Sequence, residues 1–166
     1  PATAKTQAQK DTCDIVPWTP VFTRGCLKLV VLTDKGAKLN SSKKVADFVK
    51  HQLPLVLNEM KQEFGWSNTP KVILHDKASY FVNDDRLNPT FAEGLRAGRF
   101  KSWADTDGGC KWLAGHLGDF YPHETVISHV RRLLSTKFSK CSLWETPAQF
   151  KARMLKVEQH MNLSLI

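Results

Sequence analysis

The sequence has no long hydrophobic run and few cysteines. No apolar stretch approaches the roughly 20 residues that a helix needs to span a bilayer, and no signal-peptide pattern is visible. The chain of 166 residues contains four cysteines, none of them in a CxxC pair, which argues against a zinc site. We therefore expect reduced thiols, no membrane span and an intracellular location, in the nucleus or in an organelle.

Acidic residues are the scarcer charge. The chain has 24 Lys and Arg against 16 Asp and Glu, which gives a formal net charge of +8. Such an excess of positive charge suits phosphate polyanions, so nucleic acid is a candidate partner, although a solvated basic surface has the same composition. Hydrophobic residues make up 42% of the chain, which is typical of a globular domain and not of a disordered chain.

Hydrophobic patterning predicts several short strands. The first apolar run is interrupted by Pro17 and Pro20, so it is expected to be an edge strand or an extended arm. Arg24 and Gly25 predict a turn after it. The third run is expected to be a short buried strand. The predicted strands cover residues 15–22, 26–32, 71–75 and 99–104.

Helical spacing and end signals predict four helices between or after these strands. The first is expected to be kinked at Pro54, the second to be closed by Gly98, and the last to begin with a capping box at Thr146. The predicted helices start at Ser41 or Ser42, at Thr90, after Pro122 and after Thr146. The apolar face of the last one comprises Phe150, Met154, Val157 and Met161. The alternation of strands and helices predicts an α/β layered domain.

Two acidic residues occupy positions that suit a metal site. Asp76 follows the apolar run at residues 71–75, and Glu124 lies in the first turn of the helix that follows Pro122. Two carboxylates on rigid elements are a common cradle for Mg²⁺, so Asp76 and Glu124 are the candidate metal ligands. Either residue alone also fits a structural role, Asp76 as a turn former and Glu124 as a favourable charge at a helix start.

Several of these motifs resemble the catalytic domain of mariner-type DDE transposases. Residues 118–124 (GDFYPHE) are similar to the family's third-carboxylate motif, and Arg131-Arg132 fit the basic pair on the helix that follows. Residues 72–78 (VILHDKA) are similar to its second-carboxylate strand. Softer matches lie at residues 25–30 and 48–55, so the resemblance runs in order over about residues 16–161.

The resemblance implies an RNase H-like mixed sheet flanked by helices. It places the domain at residues 15–166, after a flexible basic tail at residues 1–14. In this family Asp76 would bridge two Mg²⁺ ions and Glu124 would hold one of them. The strand that carries the family's first Asp would either precede residue 1 or be missing, so the domain is expected to be truncated at its N-terminus. Asp14 and Asp34 are weak substitutes for that Asp.

Because the first carboxylate is missing, we expect the chain to be catalytically inactive. Lys77 adds to this expectation, since it stands where the family has Asn and its ammonium would compete with a cation. The predicted function is that of a transposase-derived domain serving as a structural or nucleic-acid-binding subunit of a larger assembly, with DNA favoured over RNA. The alternative is a Mg²⁺-dependent transposase or endonuclease core fragment. A third option is a nuclease of another RNase H-like group that uses Asp34, Asp76 and Glu124.

Two basic stripes are candidate contacts to a nucleic-acid backbone. Arg96, Arg99 and Lys101 form the first, beside Phe100 and Trp103. The second lies on the helix after Glu124 and comprises Arg131, Arg132, Lys137 and Lys140. Cationic side chains on helix exteriors are also commonly solvated faces. The histidines near the two acidic motifs, which are His75, His116, His123 and His129, match no metal-ligand spacing and are expected to be core or surface residues.

Overall fold

The structure is a computed structural model that describes residues 16–32, 38–75, 89–103 and 123–165. The chain divides into two compact units. Unit 1 comprises residues 1–37 and 123–166, and unit 2 comprises residues 38–122. Within the described ranges, no helix is long and apolar enough to cross a membrane. The predicted tail at residues 1–14 lies outside these ranges, as do Asp14, Asp34 and Asp76.

Unit 1 begins with an antiparallel hairpin. Strand β1 (Trp18–Thr23) pairs with strand β2 (Cys26–Val31), which confirms both strand predictions. The turn predicted at Arg24 and Gly25 is also confirmed, since both residues have left-handed backbones with φ values of 53° and 74°. Two consecutive left-handed residues are typical of the type I′ turn, whose twist matches that of the strands.

Pro20 fits into β1 without a lost hydrogen bond between the strands. The backbone N–H of Leu32 donates to the carbonyl of Pro17 at 2.7 Å, so residues 17, 19 and 21 direct their hydrogen-bonding groups towards β2. Pro20 stands opposite Leu29 and directs its missing donor away from β2. This is the orientation in which a strand tolerates proline.

Two helices cover the hairpin. They are α4 (His123–Ser135) and α5 (Pro147–Leu165). The predicted capping box is confirmed, because the Thr146 N–H donates to Gln149 Oε1 at 2.9 Å and the Gln149 N–H donates to Thr146 Oγ1 at 3.2 Å. The predicted inner face of α5 is confirmed as well. The core of unit 1 comprises Leu27, Leu29, Val130, Leu133, Phe150, Met154, Val157 and Met161.

Side chains of α5 complete the hydrogen bonding along the free edge of β2. Asn162 accepts from the Leu27 N–H and donates to the Leu27 carbonyl, both at 2.9 Å. Glu158 accepts from the Leu29 N–H at 2.8 Å. The geometry fits because four residues of helix rise about 6 Å and two residues of strand span about 6.6 Å. An edge that would otherwise attract another strand is thereby covered.

Unit 2 opens with a long helical segment that contains a wide turn. Helix α1 (Ser42–Asp47) is followed by a π-helical turn (Phe48–Gln52) and by α2 (Leu53–Phe64). Ser41 caps α1 by accepting from the Lys44 N–H at 3.3 Å. This π turn directly precedes Pro54, and its Leu53 N–H bonds to the Phe48 carbonyl, while the bend of the helix axis expected at Pro54 stays a prediction. A wider turn relieves the clash between a proline ring and the carbonyl four residues earlier.

Glycine allows helix α3 (Pro89–Gly98) to approach α1 and the π turn closely. A Cβ atom on Gly94 would lie 2.9 Å from the Cα of Ala46, and one on Gly98 would lie 2.7 Å from the Val49 carbonyl oxygen. Gly98 was predicted to close this helix, and that prediction is wrong in detail. The helix includes Gly98, and Arg99 takes the left-handed position with a φ of 61°.

The third and fourth strands are much shorter than predicted. Strand β3 (Val72–Ile73) pairs in parallel with strand β4 (Lys101–Ser102). The prediction of a buried strand at residues 71–75 is wrong for Val72, which is 50% exposed, although His75 is buried. The mixed α/β class is confirmed. Each unit contains one described strand pair, and the RNase H-like arrangement of a larger sheet stays a prediction.

Candidate nucleic-acid interface

Of the two predicted metal ligands, Asp76 and Glu124, the structure describes only Glu124. Glu124 lies in the first turn of α4 and is exposed to solvent. Asp76 and the weaker candidate Asp34 lie outside the described residues, so the pairing of Asp76 with Glu124 stays a prediction. Among the side chains that the structure describes, no group of three or more His, Cys, Asp or Glu residues could hold a metal ion.

His75, which directly precedes Asp76, is a buried core residue. Its Nε2 atom lies 2.7 Å from the Oγ atom of the buried Ser102. Its ring meets the ring of Phe91 edge-on at a centroid distance of 5.6 Å, and its carbonyl accepts from Trp103 Nε1 at 3.3 Å. These contacts confirm the expectation of a structural histidine at this position, and they hold the chain in place where β3 ends.

Positive charge dominates the described surface of unit 1. Nine basic and three acidic residues lie in its described part, and seven of the basic residues are exposed against one exposed carboxylate, Glu124. The other two carboxylates point inwards, since the side chains of Glu145 and Glu158 are only 9% and 4% exposed. The exposed cations are Arg24, Arg131, Arg132, Lys137, Lys140, Lys151 and Lys156.

Each inward carboxylate has a structural task. Glu158 accepts from the Leu29 N–H, and Lys28 Nζ lies 3.6 Å from its other oxygen. Glu145 lies 3.0 Å from Arg153 Nη2. Carboxylates that are engaged inside the unit neutralise little of the field at its surface, so exposed positive charge outweighs exposed negative charge in the described part of unit 1.

The predicted stripe of Arg131, Arg132 and Lys137 is exposed at the end of α4 and just beyond it. Arg132 donates to Nδ1 of His129, and the Lys137 ammonium lies 5.7 Å from the centre of the Phe138 ring. Cations are favoured at a helix C-terminus by the helix dipole. The stripe therefore presents charge that the fold itself stabilises, and a phosphate can reach it from solvent.

One guanidinium organises the connection between α4 and α5. Nη1 of Arg153 donates to the carbonyls of Leu134 and Phe138, both at 3.0 Å. Nε and Nη2 donate to Glu145 at 3.2 and 3.1 Å. Phe138 and Glu145 are thus held by the same group, which closes residues 138–145 into a compact loop, called the Arg153 loop below. Sequence reasoning missed Arg153, because contacts across eight to nineteen residues leave no local pattern.

The predicted basic stripe of unit 2 lies around the end of α3. Arg96, Arg99 and Lys101 are all exposed. The left-handed backbone of Arg99 ends the helix, with the Arg99 N–H donating to the Arg96 carbonyl at 3.1 Å and the Phe100 N–H donating to the Leu95 carbonyl at 2.8 Å. This pattern is a Schellman cap, in which glycine is the usual residue.

Lys71 joins this second group, although no pattern in the sequence predicted it. Its carbonyl accepts from the Lys101 N–H at 2.9 Å, and its ammonium lies 5.4 Å from the centre of the Phe100 ring. Strand pairing therefore brings Lys71 beside Lys101. Trp103 is half-buried and donates to the His75 carbonyl, so its indole serves packing in unit 2.

In three comparisons with known proteins, no family model, no curated protein and no solved structure matched this chain. The resemblance to mariner-type transposases consequently rests on the motifs alone. What the described residues themselves provide is two exposed cationic surfaces, one in each unit, built from side chains whose chemistry suits phosphate contacts.

Proposed function

We propose that this chain binds the phosphate backbone of nucleic acid without catalysing a reaction on it. The observation that carries the proposal is the charge distribution of unit 1, where seven exposed cations face solvent with a single exposed carboxylate in the described part. Lysine and arginine side chains that contact phosphates release counterions, and this sequence-independent term supplies most of the affinity of non-specific binding.

The contacts expected from these residues fix position on a backbone and do not read sequence. Arg131, Arg132 and Lys137 lie along one helix end and its exit, where they match a row of phosphates better than a single base edge. The resemblance to transposases favours DNA over RNA, and it favours a role as one subunit of a larger nucleoprotein assembly.

Catalysis by this chain alone is not part of the proposal. Strand transfer of the transposase type needs a set of carboxylates around two divalent ions. Asp76 and Glu124 supply two, and the resemblance assigns no residue of this sequence to the family's first Asp, for which Asp14 and Asp34 are only weak substitutes. The second candidate function, a Mg²⁺-dependent endonuclease core, rests on those same two motif residues.

Lysine protection tests the binding surface without any mutation. The chain is treated with acetic anhydride with and without a 20-base-pair duplex, and acetylation of each lysine is measured by mass spectrometry. We expect the duplex to protect Lys137 and Lys140, whereas Lys43 and Lys50, which are exposed on the first helical segment of unit 2, stay reactive. Equal reactivity of all four lysines with and without the duplex would overturn the proposal.

A cleavage assay separates the two candidate functions. The chain is incubated with a supercoiled plasmid and Mg²⁺ or Mn²⁺, alongside the variant Asp76→Ala. The proposal predicts no metal-dependent nicking above the level of the variant. Nicking that requires the metal and is lost in Asp76→Ala would instead establish the endonuclease function.

A further inference from the structure

Within unit 1, the Arg153 loop presents an apolar pair next to the cationic surface. Leu143 and Trp144 are 62% and 41% exposed, which is unusual for large apolar side chains that neighbour each other. The loop also contains the exposed Lys140, and Lys137 directly precedes it. A partly exposed tryptophan therefore stands in a loop whose exposed charges are positive.

The backbone that carries Trp144 is held on both sides. Ser142 Oγ donates to the Trp144 carbonyl. The next residue, Glu145, is bound by Arg153, and the one after it, Thr146, belongs to the capping box of α5. Arg153 is itself seated 5.5 Å from the centre of the ring of the buried Phe150. A backbone held in this way loses little conformational entropy when the side chain that it carries contacts a ligand.

We propose that Trp144 is a stacking platform for an unpaired base of single-stranded nucleic acid, with Lys137 and Lys140 contacting the adjacent phosphates. This inference rests on the proposed function. Charge complementarity selects the ligand, because the only carboxylate in the loop, Glu145, is bound to Arg153 and is 9% exposed. An aromatic face combined with neighbouring cations is the usual chemistry of single-strand recognition, since every base offers a ring face to stack on.

A base inside a duplex cannot stack on Trp144 in this way. Its bases are stacked on one another, so their faces are closed to an indole from outside. The proposal therefore predicts that the affinity for single strands depends on Trp144 and that the affinity for duplex does not. Leu143 adds an apolar contact beside the stacked base.

The test compares Trp144→Ala with two further variants of the full chain by fluorescence anisotropy. The probes are a labelled oligonucleotide of twenty thymidines and a labelled 20-base-pair duplex. Trp144→Ala should weaken binding of the single strand by about tenfold, as expected for the loss of one stacked base, and should leave binding of the duplex unchanged. Trp144→Phe should retain most of the affinity for the single strand. The matched control is Leu163→Ala, which removes an apolar side chain that is 74% exposed from the far end of α5 and should change neither affinity.

Salt dependence separates stacking from charge. The slope of log affinity against log salt concentration should be the same for Trp144→Ala and for the unaltered chain, because no phosphate contact is removed. Equal affinities of Trp144→Ala and Leu163→Ala for the single strand would overturn the inference, and so would an equal loss for single strand and duplex.

The remaining outcomes are also decisive. If the unaltered chain binds neither probe, the proposed function fails and this inference fails with it. If the unaltered chain binds both probes and Trp144→Ala has no effect, only this inference fails. If Trp144→Ala converts a dimer to a monomer in sedimentation without nucleic acid, the Leu143–Trp144 pair belongs to an interface between copies, and the stacking role is overturned.

Discussion

The two units have similar charge compositions and different surfaces. The described part of unit 1 has nine basic and three acidic residues, and that of unit 2 has nine and four. All four carboxylates in the described part of unit 2 are exposed, whereas two of the three in the described part of unit 1 are turned inwards. The net charges of the described parts are nearly equal, at +6 and +5. Burial of Glu145 and Glu158 is what gives the described part of unit 1 a surface of nearly one sign.

The units also differ in how their elements are held together. Unit 1 joins a hairpin to a helix by hydrogen bonds between side chains and backbone, at Asn162 and Glu158. In unit 2 the helices pack closely because Gly94 and Gly98 have no side chain at the contact. The contact in unit 1 depends on hydrogen-bond geometry, and the contact in unit 2 depends on close packing. Substitutions should therefore destabilise unit 1 by breaking hydrogen bonds and unit 2 by steric clash.

The largest expected effect on stability comes from disrupting the close packing of α3 against α1 in unit 2. In Gly94→Leu, the new Cβ would lie 2.9 Å from the Cα of Ala46, and backbone cannot move aside without separating the helices. We expect a loss of about 3 kcal/mol in the free energy of unfolding. Ala97→Leu introduces the same side chain at an exposed site of the same helix and should change stability by less than about 0.5 kcal/mol. Urea denaturation of both variants measures the difference, and equal stabilities would remove close packing as the explanation.

The second expected effect is on the loop of unit 1. Arg153→Ala leaves the Glu145 carboxylate and two carbonyl groups without the guanidinium, which should lower the free energy of unfolding by about 3 kcal/mol. Arg153→Lys keeps the positive charge but loses the planar guanidinium with its several donors. Its free energy of unfolding should therefore lie between those of Arg153→Ala and the unaltered chain. Lys156→Ala removes an exposed cation from the same helix and serves as the control. The account would be contradicted if chemical denaturation ranked Arg153→Ala with Lys156→Ala.

The third expected effect is on the covered edge of β2. Asn162→Ala leaves the Leu27 N–H and carbonyl without their partner, at an expected cost of about 2 kcal/mol. An uncovered strand edge also favours pairing between molecules, so light scattering should rise on heating earlier than for the unaltered chain. Gln159→Ala, on the exposed side of α5, should show neither change. A variant at Asn162 that behaves like Gln159→Ala would mean that the edge does not depend on this amide.

The smallest expected effect has the opposite sign. Arg99 holds a left-handed backbone at a helix cap where glycine is preferred, so Arg99→Gly should stabilise unit 2 by about 1 kcal/mol. Arg96→Gly makes the same exchange three residues earlier, inside α3, and should destabilise it by about 1 kcal/mol. Opposite shifts of the thermal midpoint confirm the strain at Arg99, and shifts of the same sign refute it.

Sequence patterns correctly predicted the features that depend on contacts between residues close together in the chain. The inner face of α5, the capping box at Thr146 and the turn at Arg24 and Gly25 all follow from residues within a few positions of one another, and all are confirmed. Pro54 indicated an irregularity in the first helical segment, and the structure has a π turn directly before it, a form that the sequence did not indicate.

Contacts between distant residues explain what sequence reasoning missed. Glycine at a helix end usually serves as the cap, but Gly98 is required inside the helix because of the Val49 carbonyl, and the left-handed position falls to Arg99. The bonds from Asn162 to Leu27 span 135 residues, and no spacing rule predicts them. The exposed cations of both stripes were identified from composition, whereas the inward orientation of Glu145 and Glu158, which makes unit 1 distinctive, required the fold.

The salt dependence of duplex binding tests the central claim most directly. Arg131→Ala combined with Arg132→Ala, in unit 1, is compared with Lys43→Ala combined with Lys50→Ala, in unit 2, so that both double variants lose two exposed positive charges. The account predicts that the slope of log affinity against log salt concentration falls by about 1.8 for the unit 1 variant, two phosphate contacts at about 0.9 each, and stays unchanged for the unit 2 variant. Equal slopes for the two variants would contradict it, because the duplex would then respond to total charge and not to the surface of unit 1.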